Sequence, residues 1–153
     1  MDEMKTRLLM AGLVLSLSWA VQAAPGNWLT SVPQAEARAK AEGKMVVLDF
    51  TGSDWCPWCI RFHEDVLSQP AFEKFAAKHL VLVTVDFPQH KDQPEAQKKA
   101  NQTLADRYSV DGFPTIVVLD RDGKEIGRQV GYLRGGPDAF IAELKKFKAG
   151  DKS

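Results

Sequence analysis

Three short, nearly continuous runs of apolar residues most constrain what this chain can fold into. They cover residues 45–50, 80–86 and 115–119. Runs of this length are typical of strands buried on both faces, whereas a strand with one wet face alternates between apolar and polar residues. Segments with helical spacing separate the runs. The order therefore predicts an α/β domain, with a mixed central sheet and helices on both faces.

The positions of the helices follow from caps, chain breakers and helical spacing. Helices are expected at residues 32–42, 56–67, from Pro70 onward, 94–108 and after Gly136. The Asp122-Gly123 dipeptide predicts a hairpin turn, followed by a returning strand at 125–130. The predicted order is α-β-α-β-α-β-β-α, without an internal repeat or a second domain.

The amino-terminal segment has the layout of a secretory signal peptide. Lys5 and Arg7 precede an apolar run at residues 8–20, and small residues around Ala23 suit a cleavage site. We expect a signal peptide at residues 1–23 and a mature domain at 24–153. An uncleaved membrane anchor is the alternative, although the apolar run is short for a membrane span.

The charge balance bears on the class of partner. The 153 residues include 20 Lys and Arg and 20 Asp and Glu, which gives a formal net charge of zero. Nucleic acids and anionic membranes favour clearly basic proteins. We therefore expect no nucleic-acid partner, and a chain of this length is expected to be a single-domain monomer.

The chain has two cysteines, Cys56 and Cys59, which lie three positions apart. Exported domains that use disulfides for stability link distant segments, because closing a long loop restricts the unfolded chain most. A bond across two intervening residues would add little stability, so the pair is better explained by chemistry. Half of a structural zinc site, completed in part by His63, is the alternative.

With these elements placed, residues 28–148 resemble the thioredoxin superfamily. The resemblance rests on a buried strand before the WCPWC motif (residues 55–59), on a helix opened by that motif, and on the Gly-Phe-Pro-Thr sequence at 112–115. Residues 50–56 and 85–89 further resemble the DsbH-type periplasmic oxidoreductases. The resemblance implies a thioredoxin fold over residues 24–153 and an envelope thiol–disulfide enzyme.

The resemblance also implies particular site residues. Pro114 takes the place of the family's cis proline, which faces the reactive sulfur, and Asp49 resembles the family's buried acid. Asp49 lies seven residues before Cys56, one more than in ordinary thioredoxins. Leu82 stands where thioredoxins carry a lysine that accompanies this acid.

The candidate catalytic residues are Cys56, Cys59 and Asp49. Cys56 opens a helix, where unpaired N–H groups and the helix dipole favour its thiolate, so we expect it to attack substrate disulfides. Cys59, one turn later and more buried, would resolve the mixed disulfide, with Asp49 as its base. Alternatively, Asp49 is a hydrogen-bonded strand-end residue. His63, on the same helix face as Cys59, could perturb it or be a solvated side chain.

The candidate substrate-binding residues surround the cysteines: Trp55, Pro57, Trp58, Phe113 and Pro114. The two tryptophans could serve as an apolar platform that excludes water, or as core residues. Pro114 could start a strand, or leave the preceding backbone free to meet an extended peptide.

The sequence as a whole predicts a periplasmic enzyme that exchanges protein disulfides without a cofactor or metal. We expect it to act as a reductase, since Pro57 and Trp58, between the cysteines, supply no cation to stabilise a thiolate. A membrane reductase of the DsbD kind would supply electrons, as the resemblance suggests. The alternatives are a redox-inert peptide-binding or chaperone module and a dedicated reductase of apocytochrome thiols.

Overall fold

Four strands form one mixed sheet in the order β2-β1-β3-β4 in the computed structural model, which describes residues 27–151. The predicted signal peptide and its cleavage site lie outside the described residues. The elements are α1 (Val32–Glu42), β1 (Met45–Thr51), α2 (Pro57–Phe62), α3 (Pro70–His79), β2 (Leu80–Asp86), α4 (Glu95–Arg107), β3 (Thr115–Leu119), β4 (Glu125–Val130) and α5 (Gly136–Gly150). The three apolar runs are the three strands that the sequence predicts, and the hairpin strand is confirmed.

Strand β1 lies at the centre of the sheet and is buried along its whole length. It pairs in parallel with β2 and antiparallel with β3, and β3 pairs antiparallel with β4. Because parallel neighbours need a crossover, the chain passes through α2 and α3 between β1 and β2. This crossover carries the two cysteines across the carboxyl end of β1.

The two faces of the sheet are covered by different helices. Alternate residues of β1 point to opposite faces. One set packs with α1 and α4, and the other with α2, α3 and α5. The predicted mixed sheet with helices on both faces is thus confirmed. Asp49 lies two positions after Val47, so it shares the face of α2.

The helix after the cysteines differs from the prediction. It is expected to continue to about Leu67, but α2 ends at Phe62 and a π-helical turn covers His63–Leu67. The N–H of Ser68 donates to the carbonyl of His63, at 2.8 Å, which closes the wider turn. Both Val66 and Leu67 are buried. The helical period of the sequence does not reveal such a turn, because it differs from an α-helix by one hydrogen-bond offset.

The segment before α1 also takes part in the sheet. Leu29 forms an isolated parallel bridge with Val83. Its N–H donates to Leu82, and its carbonyl accepts from Thr84, both at 2.8 Å. This short contact protects the free edge of β2. Over residues 27–151, no helix is both long enough and apolar enough to span a membrane.

Candidate active site

Cys56 and Cys59 lie at the amino-terminal end of α2 and form a disulfide, with their Cα atoms 5.3 Å apart. Cys56 is the N-cap residue, and its Sγ accepts the backbone N–H of Cys59 at 3.3 Å. Pro57 fits the first helical position because that N–H has no partner within a helix. Both cysteines are buried, Cys56 at 6% and Cys59 at 4% relative exposure. The sulfur of Cys56 therefore occupies the helix end that stabilises negative charge.

A groove of about 320 Å³ is lined in part by a residue from between the two cysteines. Trp58, the residue before Cys59, forms part of it and is 52% exposed. Phe113 and Pro114 also line it, and the bond between them is cis, as the resemblance implies. Three of the five predicted substrate-binding residues therefore meet in one groove.

Trp55 and Pro57, the other two, do not line the groove. Trp55 is partly buried, and its indole N–H donates to the carbonyl of Phe87 at 2.7 Å. Its ring packs edge-on against Phe113, with 6.1 Å between the ring centroids. Trp55 thus supports a groove residue from behind. Pro57 is exposed at the start of α2.

The sequence prediction missed the opposite wall of the groove, which consists of Gly131, Tyr132 and Arg134. Tyr132 packs against Trp58, with 5.5 Å between the ring centroids. Its hydroxyl donates to Asp65 at 2.7 Å. The signal that could have found this wall is the Gly-Tyr pair at the end of the predicted hairpin strand, because a hairpin partner of β3 must end beside Pro114.

Cys59 itself lines a second cavity, of about 360 Å³. It is lined by both Cys59 and Asp49, and by the partly exposed Thr84, which pairs with Asp49 in the sheet. Asp49 is 7% exposed. Burial raises its pKa to about 7, and the negative charge of Asp86 adds to the effect. Despite its shifted spacing, Asp49 shares a cavity with one of the cysteines.

The mouth of this cavity, hereafter the Asp49 cavity, is formed mainly by polar side chains, and Ile60 is also exposed there. His63, Glu64 and Lys91 line it, and all three are exposed. His63 therefore lies in the same cavity as Cys59, in line with its place on the helix face. Leu82, at the position of the thioredoxin lysine, is buried among apolar residues on the same face of the sheet.

The loop before Cys56 is tied to the long segment after β2. The carboxylate of Asp54 accepts the backbone N–H groups of Gln89, His90 and Lys91 at 2.8 to 2.9 Å. Lys91 in turn donates through Nζ to Ser53 Oγ at 3.1 Å. We call these contacts the Asp54 latch. The latch brings Lys91 to the mouth of the Asp49 cavity.

Comparisons with known proteins agree with this geometry. Residues 32–148 match the family described as a thioredoxin-like domain. The disulfide bond reductase DsbH of Chlamydia pneumoniae is 42% identical over 82% of this chain and 74% of its own length. A solved DsbH oxidoreductase superposes with a TM-score of 0.75 at 39% identity, covering 87% of this chain and 91% of that one.

Two further matches are more distant. A thioredoxin from Thermus thermophilus superposes with a TM-score of 0.61 at 32% identity, over 79% of this chain and 86% of its own. The thiol:disulfide interchange protein DsbD of Cronobacter sakazakii is 35% identical over 63% of this chain, which corresponds to only 16% of the DsbD length. The chain therefore belongs to the family of thioredoxin-like domains, as a DsbH-like thiol–disulfide oxidoreductase.

Proposed function

We propose that this protein reduces disulfides of exported proteins in the periplasm, with Cys56 as the attacking thiol. The observation that carries the proposal is the place of Cys56, which caps a helix, is bonded to Cys59 and lies two residues before Trp58, a residue that lines an open apolar groove. A helix N-terminus lowers the pKa of a thiol, so a useful share of Cys56 would be thiolate at neutral pH.

The reduced enzyme would act in two steps. The Cys56 thiolate attacks one sulfur of the client disulfide, and the other client sulfur leaves as a thiolate that takes up a proton. Cys59 then loses its proton and attacks the Cys56 sulfur, which releases the first client sulfur as a thiol. Two electrons pass from the cysteine pair to the client, and the pair ends as the disulfide present in this structure.

Asp49 is the proposed acceptor of the Cys59 proton. The two residues line one cavity, and an acid with a pKa of about 7 can both take up and release protons near neutral pH. The partly buried Asp49 cavity has room for water, which could carry the proton between them.

The groove is the proposed site for the client segment. Trp58, Phe113 and Pro114 offer an apolar surface there, and Pro57, the residue before Trp58, is exposed at the start of α2. Trp55 would hold Phe113 in place rather than touch the client.

The direction of electron flow follows from what stabilises the Cys56 thiolate. Potentials in this fold run from about −270 mV for thioredoxin to about −120 mV for DsbA, a span of ~7 kcal/mol. A helix N-terminus supplies at most ~2 kcal/mol, so strong oxidants need additional donors or cations. Here the donor to Cys56 Sγ is the backbone N–H of Cys59, and Trp58 packs against Tyr132. The pair should therefore be reducing.

A reductase needs a source of electrons. Several relatives are thiol:disulfide interchange proteins named DsbD, and we propose a membrane reductase of that kind as the donor. The periplasmic location rests on the signal peptide that the sequence predicts at residues 1–23.

Equilibration in glutathione buffers of known ratio tests the proposed direction. The fraction of the reduced pair, read by thiol alkylation and mass, gives the potential. We expect a value more negative than about −180 mV, the level of protein disulfide isomerase. A higher value would favour an oxidase or isomerase. Reduction of insulin disulfides separates the whole proposal from a redox-inert binding module.

A further inference from the structure

The far end of the groove carries a charge that the exchange chemistry does not use. Of the six residues that line the groove, five are apolar, aromatic or glycine, and the sixth is Arg134. Arg134 is exposed. It lies in the segment between β4 and α5, three positions after Gly131, whose N–H donates to the carbonyl of Pro114 at 2.8 Å. The backbone around Arg134 is therefore held close to the proposed client site.

Within residues 27–151, Arg134 and Arg107 form no ion pair, whereas the other arginines do. Of these two, only Arg134 lines the groove. Arg38 and Arg128, for example, each pair with a glutamate on the same element at 2.9 and 2.6 Å. Asp138, on the first turn of α5, is close in sequence but forms no such pair with Arg134. An unpaired guanidinium is free to bind a carboxylate of another molecule.

The other arginine near the groove is already neutralised. Arg61 lies over the rings of Trp58 and Tyr132, at 5.9 and 5.7 Å from their centroids. Its Nε donates to Asp65, which also accepts the Tyr132 hydroxyl. Arg61 therefore stiffens the aromatic wall, while Asp65 balances its charge. The net charge contributed by the groove residues is that of Arg134.

From this arrangement we infer that the groove selects extended client segments that carry an acidic side chain within a few residues of the cysteine. The apolar floor would take the residues next to the cysteine, and Arg134 would bind the carboxylate. This inference rests on the proposed function, because it assumes that clients bind in the groove during attack by Cys56.

The expected effect is modest. An exposed ion pair stabilises a complex weakly, which corresponds to roughly two- to five-fold in rate. The preference should also shrink as salt screens the charges, since the Debye length falls from about 10 Å at 0.1 M to about 3 Å at 1 M.

The test uses the reduced full-length protein and short peptides with one cysteine, each blocked as a mixed disulfide with a chromogenic aryl thiol. Attack of Cys56 on the peptide sulfur releases the aryl thiolate, so absorbance gives the second-order rate constant. Aspartate and asparagine are compared at each of the two positions on either side of the cysteine. Each rate is divided by the rate with dithiothreitol, which removes the intrinsic reactivity of the peptide.

We expect an Asp/Asn rate ratio of about two to five at one or more positions, in line with an exposed ion pair. Arg134→Gln should bring that ratio to about one, and Arg134→Glu should bring it below one. Arg121→Gln is the matched control, because it removes the same charge from the β3–β4 turn. Its side chain is 67% exposed. The five residues of β3, at about 3.4 Å each, separate the turn that holds Arg121 from Pro114 by roughly 17 Å. Arg121→Gln should leave both the ratio and the rates unchanged.

Each possible Asp/Asn rate ratio either supports or contradicts the proposed preference for acidic client segments. A ratio of one at every position in the unmodified protein would overturn the inference, and so would a ratio that survives in Arg134→Gln or is equally lost in Arg121→Gln. The failure of the proposed function would look different. In that case no peptide would release the aryl thiol faster with the unmodified protein than with Cys56→Ser.

Discussion

The backbone N–H and the hydroxyl of Ser53 both donate to the carboxylate of Asp86, at 3.0 and 2.6 Å. These bonds join the loop before the WCPWC motif to the end of β2. They also hold a negative charge on the face of the sheet that contains Asp49. That charge is the second cause, after burial, of the raised pKa of Asp49. The loop that positions the cysteines therefore also contributes to the proton affinity of the neighbouring acid.

The stability of the oxidised protein should decrease as the pH rises from about 4 to above 7. Asp49 has an ordinary pKa of 3.8 and a folded-state pKa of about 7. Between these values the folded protein binds a proton that the unfolded chain has lost, so folding is favoured at the acid end. At ~1.4 kcal/mol per pKa unit, the loss is at most about 4 kcal/mol.

Urea unfolding at pH 5 and pH 8.5 measures the part of this loss that falls above pH 5, which is about 3 kcal/mol at ~1.4 kcal/mol per unit. Asp49→Asn should remove most of the difference in the free energy of unfolding between the two pH values, because the amide does not ionise. Asp111→Asn, which removes an exposed carboxylate, should keep the pH dependence of the unmodified protein. Equal pH dependence of the free energy of unfolding in Asp49→Asn and the unmodified protein would show that Asp49 is not the group responsible.

Asp49→Asn should also slow the release of the client from its mixed disulfide. Without a base, Cys59 must ionise unaided, so near pH 7 we expect a loss of roughly a hundred-fold, the lower end of general-base catalysis. The rate should then rise about tenfold per pH unit, up to the ordinary thiol pKa near 8.5. Stopped-flow measurement of release against pH checks this. An unchanged profile would remove Asp49 from the mechanism.

The two cysteines should behave differently when each is replaced. Cys59→Ser leaves the attacking thiol intact but removes the group that resolves the intermediate, so it should accumulate mixed disulfides with client proteins. Cys56→Ser should accumulate few or none, because Cys59 does not cap the helix, so the helix end does not favour its thiolate to the same extent. Non-reducing gels after acid quenching measure both. Trapping by Cys56→Ser alone would reverse the assignment.

The parts of the fold that depend on local pattern could be predicted from the sequence. Strands β2, β3 and β4 begin and end where the apolar runs and the Asp-Gly turn place them. Helix α1 is bounded, as expected, by the Ser31 cap, which accepts the N–H of Gln34, and by Gly43, whose φ is 67°. Such signals involve neighbours in sequence, so they can be recognised without knowing the tertiary contacts.

The features that the sequence did not reveal depend on distant residues. Tyr132 and Arg134 line the groove only because the β3–β4 hairpin returns beside Pro114. The Asp54 latch joins residues 35 to 37 positions apart. An aspartate in a loop is most simply a turn residue, and nothing local distinguishes one that binds three distant N–H groups.

The Asp54 latch should fix the segment after β2 in a pH-dependent way. Partial burial raises the pKa of Asp54, but the N–H groups of Gln89, His90 and Lys91 outweigh that effect and hold the pKa below its usual value of 3.8. A lowered folded-state pKa means that the contribution of the carboxylate is complete above pH 3.8 and is lost as the pH falls further. The segment should therefore stay ordered at neutral pH and loosen only in acid.

Asp54→Ala should free this segment at neutral pH. The amide protons of Gln89, His90 and Lys91 would lose a charge-assisted acceptor, so we expect their hydrogen exchange to become about tenfold faster or more. Asp120→Ala is the matched control, because Asp120 accepts two backbone N–H groups, those of Asp122 and Lys124, in the β3–β4 turn. It should speed exchange in that turn and leave residues 89–91 unchanged. Exchange at residues 89–91 that is equally slow in Asp54→Ala and the unmodified protein would mean that other contacts hold the segment.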